Sequence, residues 1–345
     1  MRKAKAANNG VITVGLDIGY GVTKALMDAQ IVTFPSVAGY GHEIAYQTEE
    51  LVTKYPGEQL CDDDGDWFIG DLALSQLRAG EQLRLRGRTA NESMMGNVFR
   101  LRMAKAALGK LLAGRHNGDA LHIRIATGLP VTHMRDAAGL KLALIGRHRV
   151  KTDAADFVAN ITEVMVMPQP YGTIYSRMLD AHGALNPCHT ASRTGVVDVG
   201  TYTVDVALDD DGEYVDTRSG SVEGGVYLVQ ERIAKAIERD FRHNAGMKEI
   251  ETVRRTGCFK ARGEQIDYSA EVAAALEPLR SATLSLINDR WHTATDVDVI
   301  YVSGGGAALV IGDLAEAYSQ AQLVEDAQIA NARGYLNYAN FAAQG

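Results

Sequence analysis

The feature that most constrains this chain is one pattern written twice. Val11 to Ile18 is an apolar run carrying a single carboxylate, Asp17; it reaches Gly19-Tyr20-Gly21 and resumes as Val22-Thr23-Lys24-Ala25-Leu26-Met27. A dinucleotide-binding loop would open a helix here, with the pyrophosphate on the helix N-terminus. Instead the residues after the glycines are β-like, turn at Asp28-Ala29-Gln30 and give another strand, Ile31 to Phe34, ended by Pro35. The stretch reads as a glycine turn inside a β-hairpin, with bare amides at its tip and Asp17 beside them. Such a tip is either an ordinary hairpin turn or an anion-binding concavity.

The second copy shifts that balance. Val196-Val197-Asp198-Val199-Gly200-Thr201-Tyr202-Thr203-Val204-Asp205-Val206 again reads strand, Asp, apolar residue, Gly and strand. Its turn at Asp209 follows Asp198 at the interval that separates Asp28 from Asp17. Copies this far apart exclude a solenoid and predict two similar domains facing each other. Two such tips, face to face, would clamp a phosphate chain from both sides. Asp17 and Asp198 would then hold a hydrated divalent cation between them.

Asp17-Ile18-Gly19-Tyr20-Gly21-Val22-Thr23-Lys24 resembles the first phosphate loop of the actin-like ATPases, especially the plasmid-segregation (ParM/StbA-type) and archaeal actin-like proteins. Asp198-Val199-Gly200-Thr201 resembles their second phosphate loop, and Ser303-Gly304-Gly305-Gly306-Ala307 their adenosine loop. Thr127-Gly128-Leu129-Pro130-Val131, the Pro168-Gln169-Pro170 turn and Ala330-Asn331-Ala332-Arg333-Gly334-Tyr335 match in family order, so the resemblance spans residues 11 to about 340. It implies an α/β, actin/ribonuclease-H-like fold of two domains, each a mixed sheet flanked by helices, with nucleotide in the interdomain cleft. It also implies ATP or GTP with Mg²⁺ as cofactors, self-assembly into a head-to-tail filament, a DNA-binding adaptor protein as partner, and a cytoplasmic setting.

Phosphoryl transfer to water needs charge neutralisation and an aligned nucleophile more than covalent chemistry. On the resemblance, Lys24 is assigned to the β/γ-phosphates, and Asp17 and Asp198 to Mg²⁺ through its waters. Asp198 also helps to polarise the attacking water, and Gln169 positions it. An amide is no general base near neutral pH, so slow turnover is expected. Gly19, Tyr20, Gly21, Gly200, Thr201 and Tyr202 fall to the phosphates, and Gly304, Gly305 and Gly306 to the nucleoside. Tyr20 departs from the many actins that carry Ser or Thr there, which predicts loss of a hydroxyl contact to the γ-phosphate.

Composition narrows the field further. At 345 residues the chain exceeds one ordinary core. Its hydrophobic share of 46% and charged share of 23% are those of a globular protein. A net charge of −8 argues against direct nucleic-acid binding, which runs on cationic side chains. Cys61, Cys188 and Cys258 are scattered and give neither a disulfide framework nor a metal pair. The nine histidines show no ligand spacing and read as structural or surface residues. No apolar run approaches a membrane span.

Residues 1–10 are expected to be a disordered tail. Domain I is expected over 11–185 and 323–345, with an insertion subdomain at about 36–115. Domain II is expected over 186–322, with a small insertion at about 242–290. Arg78, Arg84, Arg86, Arg88, Arg100 and Arg102 make one region basic, read as a solvated face. A helix over 91–113 is expected to bury Val98, Leu101, Ala104, Leu108 and Leu111, and to stop at Gly114. Glu213 to Arg218 reads as a strand. Pro278 is expected to kink or divide the helix Glu271 to Trp291. After the Ser303 glycines a helix is expected from about Asp313, and Ala327 to Phe341 reads as a final helix.

The favoured function is a nucleotide-hydrolysing, filament-forming actin homologue of the DNA-segregation kind. A small-molecule kinase of the same superfamily, acting on a sugar or acetate, is the alternative; such enzymes usually place an acidic base where this chain has Gln169. A chaperone-like ATPase would need a substrate-binding domain, for which the stretch after the last motif is expected to be too short.

Overall fold

The computed structural model describes residues 10–344 apart from 46–53, 86–91, 117–119, 188 and 190, with only the backbone given for 92–95. The tail expected over 1–10 therefore lies almost wholly outside the described residues, as do Arg86, Arg88 and Cys188. The chain divides into two compact units, residues 1–190 with 329–345, and residues 191–328.

The first unit is built on a nine-stranded sheet. Its strands are β1 (Ile12–Ile18), β2 (Val22–Met27), β3 (Gln30–Pro35), β4 (Ala38–Tyr40), β5 (Gln59–Asp62), β6 (Gly65–Ile69), β7 (Ala120–Leu129), β8 (Gly146–Thr152) and β9 (Asp156–Pro168). Their order is β3-β2-β1-β7-β9-β8-β5-β6-β4. β7 lies parallel to both β1 and β9, and the remaining pairs are antiparallel. The helices are α1 (Gly70–Gln76), α2 (Glu92–Leu111), α3 (Ala137–Leu144) and α4 (Gln169–Met178), joined by the final helix of the chain, which lies against β1. That close approach needs Gly15, because a Cβ there would stand 2.1 Å from the Ala332 carbonyl oxygen.

The described part of residues 36–115 has a small core of its own, Val37, Phe68, Leu72, Ala73 and Leu77, and is also joined to the main sheet. β5 joins the main sheet through Leu60 and Cys61 opposite Thr152 and Lys151, and Leu60, Trp67 and Ile69 are buried in the same core as β1. This changes the expectation for α2. Val98 is exposed and Leu101 half-buried, while Phe99, Met103, Ala104, Ala106, Ala107, Leu108 and Leu111 are buried. From Arg102 to Gly109 the helix is buried all round, with β8 packed on it at Gly109 and side chains of β5 and β6 reaching Arg102 and Lys105. Arg102 sits 3.5 Å over the Trp67 ring and pairs with Asp62 and Asp64, and Lys105 pairs with Asp62. The basic stretch is thus not simply a solvated face. A buried arginine is tolerated where carboxylates and an aromatic face replace its water.

The second unit repeats the plan with fewer strands: β10 (Arg193–Val199), β11 (Thr203–Asp210), β12 (Glu213–Tyr214), β13 (Gly220–Glu223), β16 (Val299–Ser303) and β17 (Ala321–Leu323), with a separate hairpin of β14 (Cys258–Ala261) and β15 (Glu264–Asp267). The order is β12-β11-β10-β16-β17, with β13 also on β11. As in the first unit, a hairpin lies beside parallel strands. The strand expected over Glu213–Arg218 is only two residues long. A 3₁₀ turn at Asp216–Arg218 interrupts it, and β13 resumes the pairing.

The helices of this unit are α5 (Val226–Phe241), α6 (Met247–Thr256), α7 (Ser269–Trp291) and α8 (Ala307–Ala317). Ile250, Val253, Phe259 and Tyr268 belong to the same core as β10 and β11, so the segment expected as an insertion packs as part of it. Helix α7 is not divided: it runs continuously through Pro278, with Leu276 and Leu279 buried on either side. Burial of that stripe outweighs the loss of one backbone hydrogen bond. α8 begins at Ala307, directly after the glycines, earlier than expected. The last helix of the chain is α9 (Ala330–Ala342). Among the described residues no helix is long and apolar enough to cross a membrane.

Candidate functional site

In the first unit the hairpin pairs Asp17 with Lys24 and Ile18 with Thr23, leaving Gly19 to Val22 as the tip. Asp17 is buried, and both its oxygens are engaged. Lys24 Nζ donates to Oδ2 at 2.8 Å, and Gln169 Nε2 donates to Oδ1 at 3.0 Å. Gln169 is the first residue of α4, where β9 ends at Pro168; Pro170, lacking an N–H, suits a first turn. The Gln169 side chain is buried and its amide points onto Asp17.

The tip is anchored from below by Ser36, which sequence reasoning overlooked. Its Oγ donates to the Gly19 carbonyl at 2.6 Å, its N–H donates to the Gly21 carbonyl at 2.9 Å, and its hydroxyl meets that of Thr23 at 2.8 Å. In a trans peptide the C=O and the following N–H point opposite ways. With the Gly19 and Gly21 carbonyls turned onto Ser36, the N–H groups of Tyr20 and Val22 face the other side. The Tyr20 hydroxyl lies 3.2 Å from His133 Nδ1.

The second unit repeats this register. Asp198 pairs with Asp205 and Val199 with Val204, leaving Gly200 to Thr203 as the tip. Here the anchor is the start of α5. The carbonyls of Gly200, Thr201 and Tyr202 accept from the N–H groups of Val226, Tyr227 and Gly224 at 3.1, 2.8 and 2.8 Å. The N–H groups of Thr201, Tyr202 and Thr203 are turned outward by the same rule. Only glycine fits at 225, where a Cβ would stand 2.2 Å from the Gly200 carbonyl oxygen.

The glycines after β16 complete this unit's cluster. Ser303 lies beside Asp198 in register, and a Cβ on Gly304 would stand 2.3 Å from Asp198 Oδ1. Gly304 has φ of +88°, which favours glycine. Gly306 is packed against Val199 and Val226, whereas a Cβ on Gly305 would meet nothing within 4 Å. Gly304 and Gly305 line an open pocket of about 420 Å³ with Ala308, Val324, Glu325 and Gln328. Asp205 is buried and accepts from Thr203 Oγ1 at 2.7 Å.

The predicted residues therefore fall into two groups. Asp17, Gly19, Tyr20, Gly21, Lys24 and Gln169 come together in the first unit. Asp198, Gly200, Thr201, Tyr202, Gly304, Gly305 and Gly306 come together in the second. Apart from Ser36, the sequence reading missed Thr23, His133 and Asp205. A hydroxyl pair such as Thr23 and Ser36 carries no spacing signal, since its partners meet only across two strands.

A glycine-tipped hairpin followed by parallel strands, occurring once in each of two units, defines the actin-type two-domain α/β fold. Two family models match the chain: one for actin-like proteins, N-terminal domain, over residues 15–172, and one for the archaeal actin homologue MreB-like, C-terminal, over residues 196–316. The chain belongs to the actin-like superfamily. No curated protein matches it.

Among solved structures, the archaeal actin homologue Ta0583 is similar at 22% identity with a TM-score of 0.77, over 95% of this chain and 99% of that one. Ta0583 in complex with ADP matches at 20% identity with a TM-score of 0.71, over 95% and 99%. A 15-stranded ParM filament from Clostridium botulinum matches at 23% identity with a TM-score of 0.75, over 97% and 100%.

Proposed function

We propose that this protein is a filament-forming actin homologue that hydrolyses ATP or GTP and organises DNA segregation. The observation that carries the reading is one hairpin repeated at one register in both units, each with its tip carbonyls tied back and its tip amides turned outward. Amides held this way take phosphate oxygens. The pocket beside Gly305 takes the nucleoside. Ta0583 binds ADP and the clostridial ParM forms filaments, and both likenesses support the reading without extending to residue roles.

The residues divide the work. Lys24 moves its charge to the β/γ-phosphates. Gln169 orients the attacking water, and Asp198 polarises it. Mg²⁺ fits the donor set, because Asp17 and Asp198 are hard oxygen donors. A carboxylate carries about four acceptor positions, so Lys24 and Gln169 leave Asp17 room for a metal-bound water. When bound, the ion neutralises charge on the transferred phosphate. Identical subunits stacked head to tail make a heterologous contact and an open filament. With a net charge of −8, the chain reaches DNA through an adaptor protein.

The test is light scattering and pelleting over a range of concentrations. With Mg²⁺ and ATP or GTP the protein assembles above a critical concentration and falls apart as diphosphate accumulates. A chain that hydrolyses nucleotide yet stays monomeric throughout overturns the filament reading. Stimulation of that hydrolysis by a sugar or acetate would instead mark a kinase.

A further inference from the structure

The motif Ala330-Asn331-Ala332-Arg333-Gly334-Tyr335 has no part in the chemistry above, yet it reaches the residue that orients the water. Helix α9 crosses α4 at two glycines. A Cβ on Gly334 would stand 1.6 Å from the Gly172 carbonyl oxygen, and a Cβ on Gly172 would stand 2.6 Å from Asn331 Cα. Beside this crossing Thr173 Oγ1 donates to Asn331 Oδ1 at 2.8 Å. Tyr335, fully buried, runs under β7 at Gly128, where a Cβ would stand 2.0 Å from its hydroxyl oxygen. That hydroxyl donates to the main-chain carbonyl of Gln169 at 3.2 Å.

Gln169 is thus held from two directions, its backbone by α9 and its side chain by Asp17. The side-chain contact also decides which way the amide faces. A carboxylate that already takes Lys24 on one oxygen has no proton to give, so the nitrogen of the amide must be the end that meets it. Oε1 is then the end left to accept a hydrogen bond. A buried side chain with backbone and tip both fixed has lost its rotamer freedom before any water arrives, and such preorganisation is worth most in a step limited by alignment.

We infer that Tyr335 is a positioning residue for hydrolysis, acting through Gln169, and that α9 belongs to the catalytic apparatus as its support. This rests on the reading of Gln169 as the water-orienting amide. Tyr335→Phe removes one oxygen and keeps the ring. It lowers kcat on the order of tenfold while KM for nucleotide stays within about twofold. In a Gln169→Ala background the same change has no further effect on turnover. An equal loss in both backgrounds, or no loss in the parent, overturns the inference. Failure of the Gln169 reading shows separately, as normal turnover in Gln169→Ala alone.

A second arm does not need activity. In the full chain labelled with ¹⁵N-glutamine, the Gln169 side-chain amide signals are assigned by their disappearance in Gln169→Ala. They shift in Tyr335→Phe, because the carbonyl beneath them loses its hydroxyl donor. Signals that do not move overturn the inference whatever the turnover.

Discussion

In the first unit the carboxylate of Asp17 stands across the hairpin from Lys24; in the second, at the same register, Asp198 stands across from Asp205. The backbone device is shared, but the charge beside it is not. The first tip carries an acid and a base that satisfy each other. The second sets two buried acidic residues opposite each other. Topology therefore places the same tip in both units, and the residue opposite the aspartate sets a different charge beside each.

The anchors differ as well. Ser36 secures the first tip through one side chain and one amide, whereas the second tip leans on three amides at the start of a sixteen-residue helix. Rigidity in the second tip is built into a large element, and in the first it hangs on one residue.

Removing the acid at the second tip has the largest expected effect. Asp198→Ala lowers turnover on the order of a hundredfold or more, since it deletes one electrostatic contributor to phosphoryl transfer, while circular dichroism shows the fold intact. Phosphate release within twofold of the parent, in a folded variant, would remove Asp198 from the chemistry and the electrostatic half of the comparison with it.

Next come the anchors. Gly225→Ala drives a Cβ to 2.2 Å from the Gly200 carbonyl oxygen and forces the helix off the tip. Overpacking of this kind costs about 1–3 kcal/mol, read from the urea midpoint. Ser36→Ala leaves the Gly19 carbonyl and the Thr23 hydroxyl without their buried partner, at about 1–2 kcal/mol. Nucleotide affinity falls in both. If Ser36→Ala leaves affinity untouched, the first tip does not depend on its single anchor.

The smallest effect is electrostatic and specific to the second unit. Hydrogen bonding to Arg218, with Arg193 nearby, lowers the carboxyl of Asp296 to about 2. A group depressed on folding stabilises above its unfolded pKa near 4 and loses that contribution as pH falls through about 2. Asp296 is half exposed, so solvent screening keeps the contribution below about 1 kcal/mol. Asp296→Asn lowers the urea midpoint at pH 7 slightly and not at pH 2. An equal loss at both pH values would mean that the residue acts by packing.

Much of this was legible in the residues. The two hairpins, the strand before Gln169 and the glycines after β16 are short-range features, and each announces itself by apolar periodicity ended by glycine or proline. Even the repeat needed only a comparison of the chain with itself, because identical local patterns fold to the same register.

What tertiary structure alone decided are the partners. The residues that hold Gln169 lie in β1 and α9, at the two ends of the chain, and no local spacing relates them. Ser36 reads as an ordinary loop residue until β3 returns it under the tip. α2 reads as an amphipathic surface helix because its pattern cannot include β5 and β6, which bury Arg102 and Lys105 from the other side. Pro278 reads as a kink or a division because propensity is local, while the burial that carries α7 through it undivided is not. Sequence determines which backbone shapes are cheap along the chain; which side chains then share a site depends on close packing between segments far apart in sequence, and that is set by the whole core at once.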